Sequence, residues 1–419
     1  MYVISRAERM KQVVVVGAGP AGASVALLLA QRGMQVTLIE KETEFERVFR
    51  GEGLMPAGLD ALYEMGLKDA YEQIPSRRLT SWDFYVGGQR RMRVVEPEKD
   101  GLATQIMDQG ALLKVIVEKA KALPNFEFCS GWQVTELLKE GERVVGVCAG
   151  KEGEKRAFRA DCVLGCEGRY SRLRKLAGLG IKQSGAQFDV LWFKLPAPES
   201  LAQETPFVAC LQPDNQFAFY PSWDGRLQIG WIIEKSGASK QNLAELKERD
   251  WCELFAQALP EKLASHFRAK KADLTSPIYL DVQVGCAEQW SVPGLLLIGD
   301  AAHPMAPNRA QGINMALRDA IAVANHFSAG GEGPISSETL QQVQDCRKPE
   351  VEAIQTMQLA EWRKVAFIST PGLPYWGFKA IATTFGRFKF AQNIWLHEQK
   401  GLREGVTTVK LNPPVKVNS

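Results

Sequence analysis

The sequence predicts an α/β protein: a parallel βαβ unit, a β-sheet domain inserted behind it, and a helical C-terminal tail. Three observations predict it. A strand, glycine turn, helix and strand follow one another over Val13–Glu40, and a second apolar strand, loop and helix occur over Gly294–Ala320. Between them lie runs of alternating polar and apolar residues, and beyond them a proline-interrupted aromatic segment.

Val13 to Val16 is an unbroken β-branched run, as expected for a strand buried on both faces. Gly17-Ala-Gly19-Pro-Ala21-Gly22 follows, then an Ala/Leu-rich helix from Ala21 to Arg32 that ends at Gly33, and a second strand from Gln35 to Glu40. Gly17 permits the tight turn, Gly19 a close approach of the backbone to a pyrophosphate, and Gly22 close packing of helix on strand. The helix N-terminus offers unpaired N–H groups to phosphates. Glu40, 18 residues after Gly22, stands where a carboxylate accepts from ribose hydroxyls. An isolated GxGxxG also fits an ordinary glycine-rich turn; the flanking strand, helix and acid make it a dinucleotide site.

Strands are expected over Thr80–Val95, with a hairpin turn at Gly87-Gly88, and over Phe188–Glu234, with a turn at Trp223-Asp224-Gly225-Arg226. Phe126 to Ala160 alternates like a three-stranded meander that feeds the strand before Glu167-Gly168. Gln241 to Ala269 is helical in pattern and covers the second sheet, and Tyr279 to Val284 leads back to the first unit. Gly294 to Ile298 is another apolar strand, ended by Gly299-Asp300, where a carboxylate can meet a polyol chain. Pro304 and Pro307 shape the next loop, and a helix begins around Gly312-Ile313-Asn314, its positive end suited to a reduced, anionic flavin. The alternative is a plain strand–loop–helix connection with Asp300 as a cap. The pattern divides the chain into 10–79 with 103–182 and 278–345, 80–102 with 183–277, and a tail 346–419.

Through these motifs the chain resembles the single-component FAD-dependent aromatic hydroxylases, the p-hydroxybenzoate hydroxylase-like class A flavoprotein monooxygenases. The resemblance runs roughly from Val13 to Gly330 and implies a Rossmann-like, glutathione reductase-like FAD-binding domain. It implies that the first unit, 10–79 with 103–182 and 278–345, binds the cofactor and the second, 80–102 with 183–277, the substrate. It places Gly17, Gly19, Ala21 and Gly22 at the ADP moiety, with Glu40 and its neighbour Lys41 beside them. Asp300 falls at the ribityl chain, and Gly312, Ile313 and Asn314 beside the isoalloxazine ring. Arg50 matches an arginine over the FAD phosphates, and Gln109 opens a helix that lies along the cofactor in relatives. The middle motif, Gly165-Cys-Glu167-Gly168-Arg-Tyr-Ser171-Arg-Leu-Arg174, implies contacts to both FAD and NAD(P)H. Two positions depart from the family pattern: Glu167 replaces an aspartate, and Ala310 replaces a glycine. The implied reaction takes NADPH or NADH as transient co-substrate and O2, with one oxygen atom going to substrate and the other leaving as water. Pro304 and Tyr220 are the expected catalytic-site residues. A prenyl-lipid reductase on the same scaffold, similar to geranylgeranyl reductases, is the alternative. The halogenase motif Trp-x-Trp-x-Ile-Pro is missing.

Composition agrees. With 45% hydrophobic residues over 419 positions, the chain can bury a large core. A net charge of +3 without a sustained basic stripe argues against a nucleic-acid partner. The eight cysteines include no CxxC pair, Cys162 and Cys166 reading as small interior hydrophobes. The four histidines lack metal-ligand spacing, and His303 reads as a structural residue near FAD. No secretory signal or membrane-spanning run is present, so a cytoplasmic protein is expected. The strands carry Trp82, Phe84, Trp192, Phe217, Phe219, Tyr220, Trp223 and Trp231, which suit a ring-bearing or lipophilic substrate or else fill the sheet core. In the tail, a helix is expected over Trp376–Glu398, and no acidic residue falls between Arg363 and Leu396. That segment reads either as a peripheral membrane element or as a helix packed on the body or on a second copy in a homodimer.

Overall fold

The computed structural model describes residues 10–45, 52–185, 188–213, 215–235, 249–327 and 334–413. Strand Gln12–Val16 lies in the middle of a six-stranded sheet. On one side it pairs in parallel with Gln35–Glu40, which pairs in turn with Phe126–Ser130. On the other it pairs with Cys162–Gly165, followed by Leu295–Leu297 and an antiparallel edge at Ser291–Val292. Val13 to Val16 are all buried, as a strand covered on both faces requires. Helix Pro20–Gln31 packs against helices Gln109–Lys121 and Gln311–Phe327. Leu27, Leu28 and Leu29 are fully buried there, each contributing about 1.5–3 kcal/mol.

The second sheet has seven strands in the order Ile278–Leu280, Phe188–Pro196, Arg226–Glu234, Phe217–Pro221, Pro206–Leu211, Ser81–Val86 and Gln89–Val95. All neighbours are antiparallel except Ser81–Val86 with Pro206–Leu211. The hairpin at Gly87-Gly88 has both glycines at positive φ (62° and 72°), the conformation a two-residue turn demands. Helices Trp251–Ala256 and Glu261–Ala269 cover one face; the earlier part of the expected helical stretch, 241–248, lies outside the described residues.

Three expectations change. The meander consists of Gln133–Glu140, Arg143–Lys151 and Glu154–Arg159, whereas Phe126–Ser130 joins the main parallel sheet. Ile278–Leu280, expected on the cofactor side, is an edge strand of the second sheet. The single tail helix is two, Leu373–Phe385 and Lys389–Glu404, after a long helix Ser337–Ile368. Gly386 caps the first of the two, and a Cβ there would lie 2.5 Å from the Arg91 carbonyl oxygen on the second sheet.

Candidate active site

The two glycine segments meet in space. Gly17, at φ +99°, passes so close to the end of strand Cys162–Gly165 that a Cβ would lie 2.6 Å from the Cys166 carbonyl oxygen. A Cβ on Gly22 would lie 1.8 Å from the Gly17 carbonyl oxygen, so the turn and helix close only with glycine. A Cβ on Gly299 would reach the Ala21 Cβ at 3.0 Å, which brings the second segment against the first helix. Gly19 is the N-cap of that helix and supplies no side-chain cap, so the first-turn N–H groups are not capped by it. Glu40 is buried at the end of the second strand, where its carboxylate accepts from the N–H groups of Ala18 (2.6 Å) and Glu42 (3.1 Å). Lys41 is at the surface, paired with Glu42 at 3.2 Å.

Asp300 lies at the start of helix Gln311–Phe327: its Oδ1 would be 3.5 Å from a Cβ on Gly312. Arg309 and Ala310 enter this helix at positive φ, 61° and 50°. Ala310 therefore occupies a conformation that glycine adopts without strain. Ile313 and Asn314 are buried, and the Asn314 side chain bridges two backbone segments. It accepts from the Met55 N–H (3.0 Å) and donates to the Ala310 carbonyl (2.7 Å), pinning the segment Gly53–Met55 beside the helix. Gln109 opens its own helix behind Asp108, whose carboxylate caps Gly110 and Ala111. Arg50 lies outside the described residues.

In the middle motif, Glu167 accepts from the Ser171 hydroxyl (2.7 Å) and the Leu173 N–H (2.9 Å), closing its own turn. Arg174 then donates to the carbonyls of Ala301 (2.7 Å) and Arg169 (2.8 Å), tying this turn to the loop after Asp300. Pro304 is buried, and its carbonyl accepts from the Gly285 N–H (3.2 Å) and the Gln355 amide (3.1 Å).

The second sheet divides its aromatic residues by face. Phe217, Phe219 and Trp231 pack with Trp251, Phe255 and Phe267 under the covering helices. Trp82, Phe84 and Phe207 pack on the opposite face with Met55 and with Trp395 of the last helix. Tyr220 stacks on Phe207 at 5.8 Å, and the Arg309 guanidinium lies over Trp82 (4.3 Å) and Trp395 (4.9 Å). Trp192 lies with Phe188 and Trp362, and Trp223 lies under Lys194. At the border with the cofactor side, Glu52 accepts from the Ser222 hydroxyl (2.8 Å) and from Lys194 (3.3 Å), which also pairs with Asp224 (2.6 Å). Burial pushes the Glu52 carboxyl up to about 7, outweighing Lys194 and Ser222. Burial also places the Tyr220 phenol well above its ordinary value.

The FAD binding domain family matches residues 10–358. The chain is 34% identical over 363 residues to the 6-methylpretetramide 4-monooxygenase of Streptomyces rimosus, covering 84% of this chain and 83% of that protein. This chain is an FAD-dependent monooxygenase of the aromatic hydroxylase family. It is also 25% identical over 325 residues to the 3-demethoxyubiquinol 3-hydroxylase of Escherichia coli, covering 74% of this chain and 77% of that protein. The fold is shared with the crystal structure of p-nitrophenol 4-monooxygenase from Pseudomonas putida DLL-E4 (TM-score 0.78, 20% identity, 96% of this chain and all of that one).

The residues fit the flavin cofactor. The Oε1 of Gln109 is buried without a hydrogen-bond partner, as expected of a group waiting for a ligand donor. The glycine turn and the uncapped helix start complete a pyrophosphate cradle. Sequence reasoning missed the charged groups that hold this loop in shape. Asp319, in the middle of helix Gln311–Phe327, accepts from the Gly299 N–H (2.9 Å), from Arg347 (2.9 Å) and lies 2.6 Å from His303 Nε2. Arg347 and Arg318 converge on Glu350, and all five side chains are buried. Burial alone would raise both carboxyls, but the facing side chains prevail: His303 and Arg347 hold Asp319 at about 2, and Arg347 and Arg318 hold Glu350 at about 2. No single-residue signal announces this cluster: Arg318 and Asp319 are adjacent on one helix, Arg347 and Glu350 lie a turn apart on another, and the two pairs meet only when those helices dock.

Proposed function

We propose that this monooxygenase hydroxylates an aromatic, quinone-like or other lipophilic small molecule, with NADPH or NADH as the transient reductant. The observation that carries the reading is the aromatic sheet face of Trp82, Phe207 and Tyr220, which is set against the Met55 segment and the Arg309 turn at the flavin helix. Relatives that act on 6-methylpretetramide and on 3-demethoxyubiquinol agree with a ring-bearing substrate.

In this reading Gly17, Gly19, Ala21 and Gly22 wrap the pyrophosphate, Glu40 meets the ribose, and Gln109 and Asp300 line the chain between phosphate and ring. Arg50 joins the phosphates. Gly312, Ile313 and Asn314 present the helix N-terminus to the ring, and its partial positive charge favours the reduced, anionic form. Bound FAD supplies oxygen activation. Trp82, Phe207 and Trp395 exclude water and orient a flat substrate. Tyr220 gives that substrate its polar contact, and Glu52 beside it holds a proton near neutral pH. Pro304 shapes the loop after Asp300, its carbonyl being engaged by Gly285 and Gln355. Glu167 orders the groove edge where the nicotinamide arrives.

The test is reconstitution with FAD, followed by oxidation of NADPH and NADH in air against phenols, polycyclic aromatics and quinols. A product heavier by one oxygen atom, labelled from 18O2, is expected. Failure to take up FAD, or turnover of a prenyl chain under strict anaerobiosis, would overturn the reading.

A further inference from the structure

The described residues expose fourteen large apolar side chains, and eight of them lie between Phe367 and Ile394. Leu373 is 89% exposed, Phe367 64% and Trp376 60%, values far from those of a packed helix face. Phe385, Phe388 and Phe390 form an exposed ring cluster with centroids 6.1–6.5 Å apart at the turn between the two tail helices. The inner faces of the same helices are packed: Tyr375 and Phe378 lie against Val86 and Leu211, and Trp395 and Leu396 against Trp82 and Phe84. The outer face is therefore a concentrated apolar surface on a folded support, of the kind that marks an interaction site.

Its charge selects the partner. Lys364 pairs with Glu398 at 2.6 Å, and between those two residues every Lys, Arg, Asp or Glu is a cation: Lys379, Arg387 and Lys389. Lys379 lies over the Trp376 ring at 4.9 Å and Arg387 over Phe388 at 5.4 Å, so each cation borders the apolar surface. Two copies meeting through this face would oppose like charges with no acid from this segment to pair them. Aromatic rings fringed by cations instead match the headgroup region of an anionic bilayer. Among the described residues no helix is long and apolar enough to cross a membrane, so the contact would be peripheral.

We infer that the outer face of Leu373–Phe385 and the first turns of Lys389–Glu404 dock this enzyme on an anionic lipid surface. Trp395 continues from that helix to Trp82 (5.6 Å) and Phe84 (5.4 Å) on the aromatic sheet face. If that face binds substrate, as proposed above, only one helix separates it from the lipid, and a lipophilic substrate enters from the membrane side.

The FAD-loaded enzyme is floated with phosphatidylcholine vesicles with and without phosphatidylglycerol, at low and high salt. Binding to the anionic vesicles is expected, falling with salt. The pair Trp376→Ser and Ile394→Ser should lower the partition coefficient by on the order of tenfold, with FAD content and monomer mass unchanged. Lys379→Glu with Lys389→Glu should abolish the preference for anionic lipid. No flotation, or flotation indifferent to both pairs, would overturn the inference. So would a concentration-dependent dimer that Trp376→Ser and Ile394→Ser dissolve, which would give the face to a second copy. Because binding is read without turnover, a failed substrate assignment leaves this result distinct.

Discussion

Glu52 should make the stability of the enzyme fall as pH rises through neutrality. The carboxyl is buried on the cofactor side of the second sheet, and desolvation carries it from 4.5 to about 7 against the pull of Lys194 and the Ser222 hydroxyl. Folding raises this pKa, so the folded state holds a proton that the unfolded state has already released between those values. The Glu52 contribution to the unfolding free energy is then highest below pH 4.5, declines across the window up to about 7, and is flat above it. At 1.36 kcal/mol per unit the loss is about 3.4 kcal/mol. With about 2.1 cal/mol/K per residue of unfolding entropy, this corresponds to roughly 4 °C in Tm. Glu52→Gln keeps the shape and an acceptor for Ser222 but cannot ionise. Melting curves of FAD-loaded wild type and Glu52→Gln from pH 4 to 8 should therefore converge at the acid end and separate by about 4 °C at the alkaline end, with the variant more stable. Parallel curves would refute the reasoning, as would a variant less stable at every pH; Glu52→Asp, which still ionises, should retain the wild-type slope.

Three further changes test the site's framework. Gly22→Ala places a methyl 1.8 Å from the Gly17 carbonyl oxygen, so the purified protein should lack the flavin absorbance that wild type retains. Ala310→Gly relieves a left-handed φ of 50° and should raise stability by about 0.5–1 kcal/mol in urea melts, whereas Ala310→Val should lower it. Arg347→Met leaves Asp319 and Glu350 short of a cation in a buried network and should cost about 3–5 kcal/mol at pH 7. Both carboxyls are held at about 2, so their contribution is present above their unfolded values and is lost as pH falls toward 2. The acid limb of the wild-type stability curve should flatten in Arg347→Met.

What could be read from the sequence was what local chemistry dictates. Gly17 and Gly22 are required by backbone contacts a few residues or one strand away, and Gly33 ends the first helix at a positive φ of 82°. The strand Gln35–Glu40 and both hairpin turns likewise follow from short-range pattern. The errors were non-local. Phe126–Ser130 alternates like a hairpin strand, yet its partner is the distant Gln35–Glu40. The tail helix ends at Gly386, where the missing Cβ allows a close approach to the distant Arg91 backbone. Asp319 and Arg347 are 28 residues apart on different helices, and Glu52 gains its character only when Ser222 and Lys194 arrive from the other sheet.

The C-terminal tail is tied into the body between the two sheets. The Gln311 amide at the flavin helix donates to the Leu402 carbonyl (2.7 Å), and Arg318 donates to the Thr407 carbonyl (2.6 Å). Arg403, four residues before Thr407, donates to Glu96 (3.0 Å) and to the Pro97 carbonyl (2.7 Å) on the substrate-sheet side. Glu350 meanwhile accepts from the Val406 and Thr407 N–H groups. Residues 402–407 thus bind helix Gln311–Phe327 and the segment that follows strand Gln89–Val95, all through buried or half-buried polar groups. Removing them would strand Gln311, Arg318 and Glu96 without these partners, at about 1–3 kcal/mol for each group left unsatisfied. The spacing between helix Gln311–Phe327 and the segment after strand Gln89–Val95 is therefore set partly by residues beyond 358, where the match to the FAD binding domain family ends.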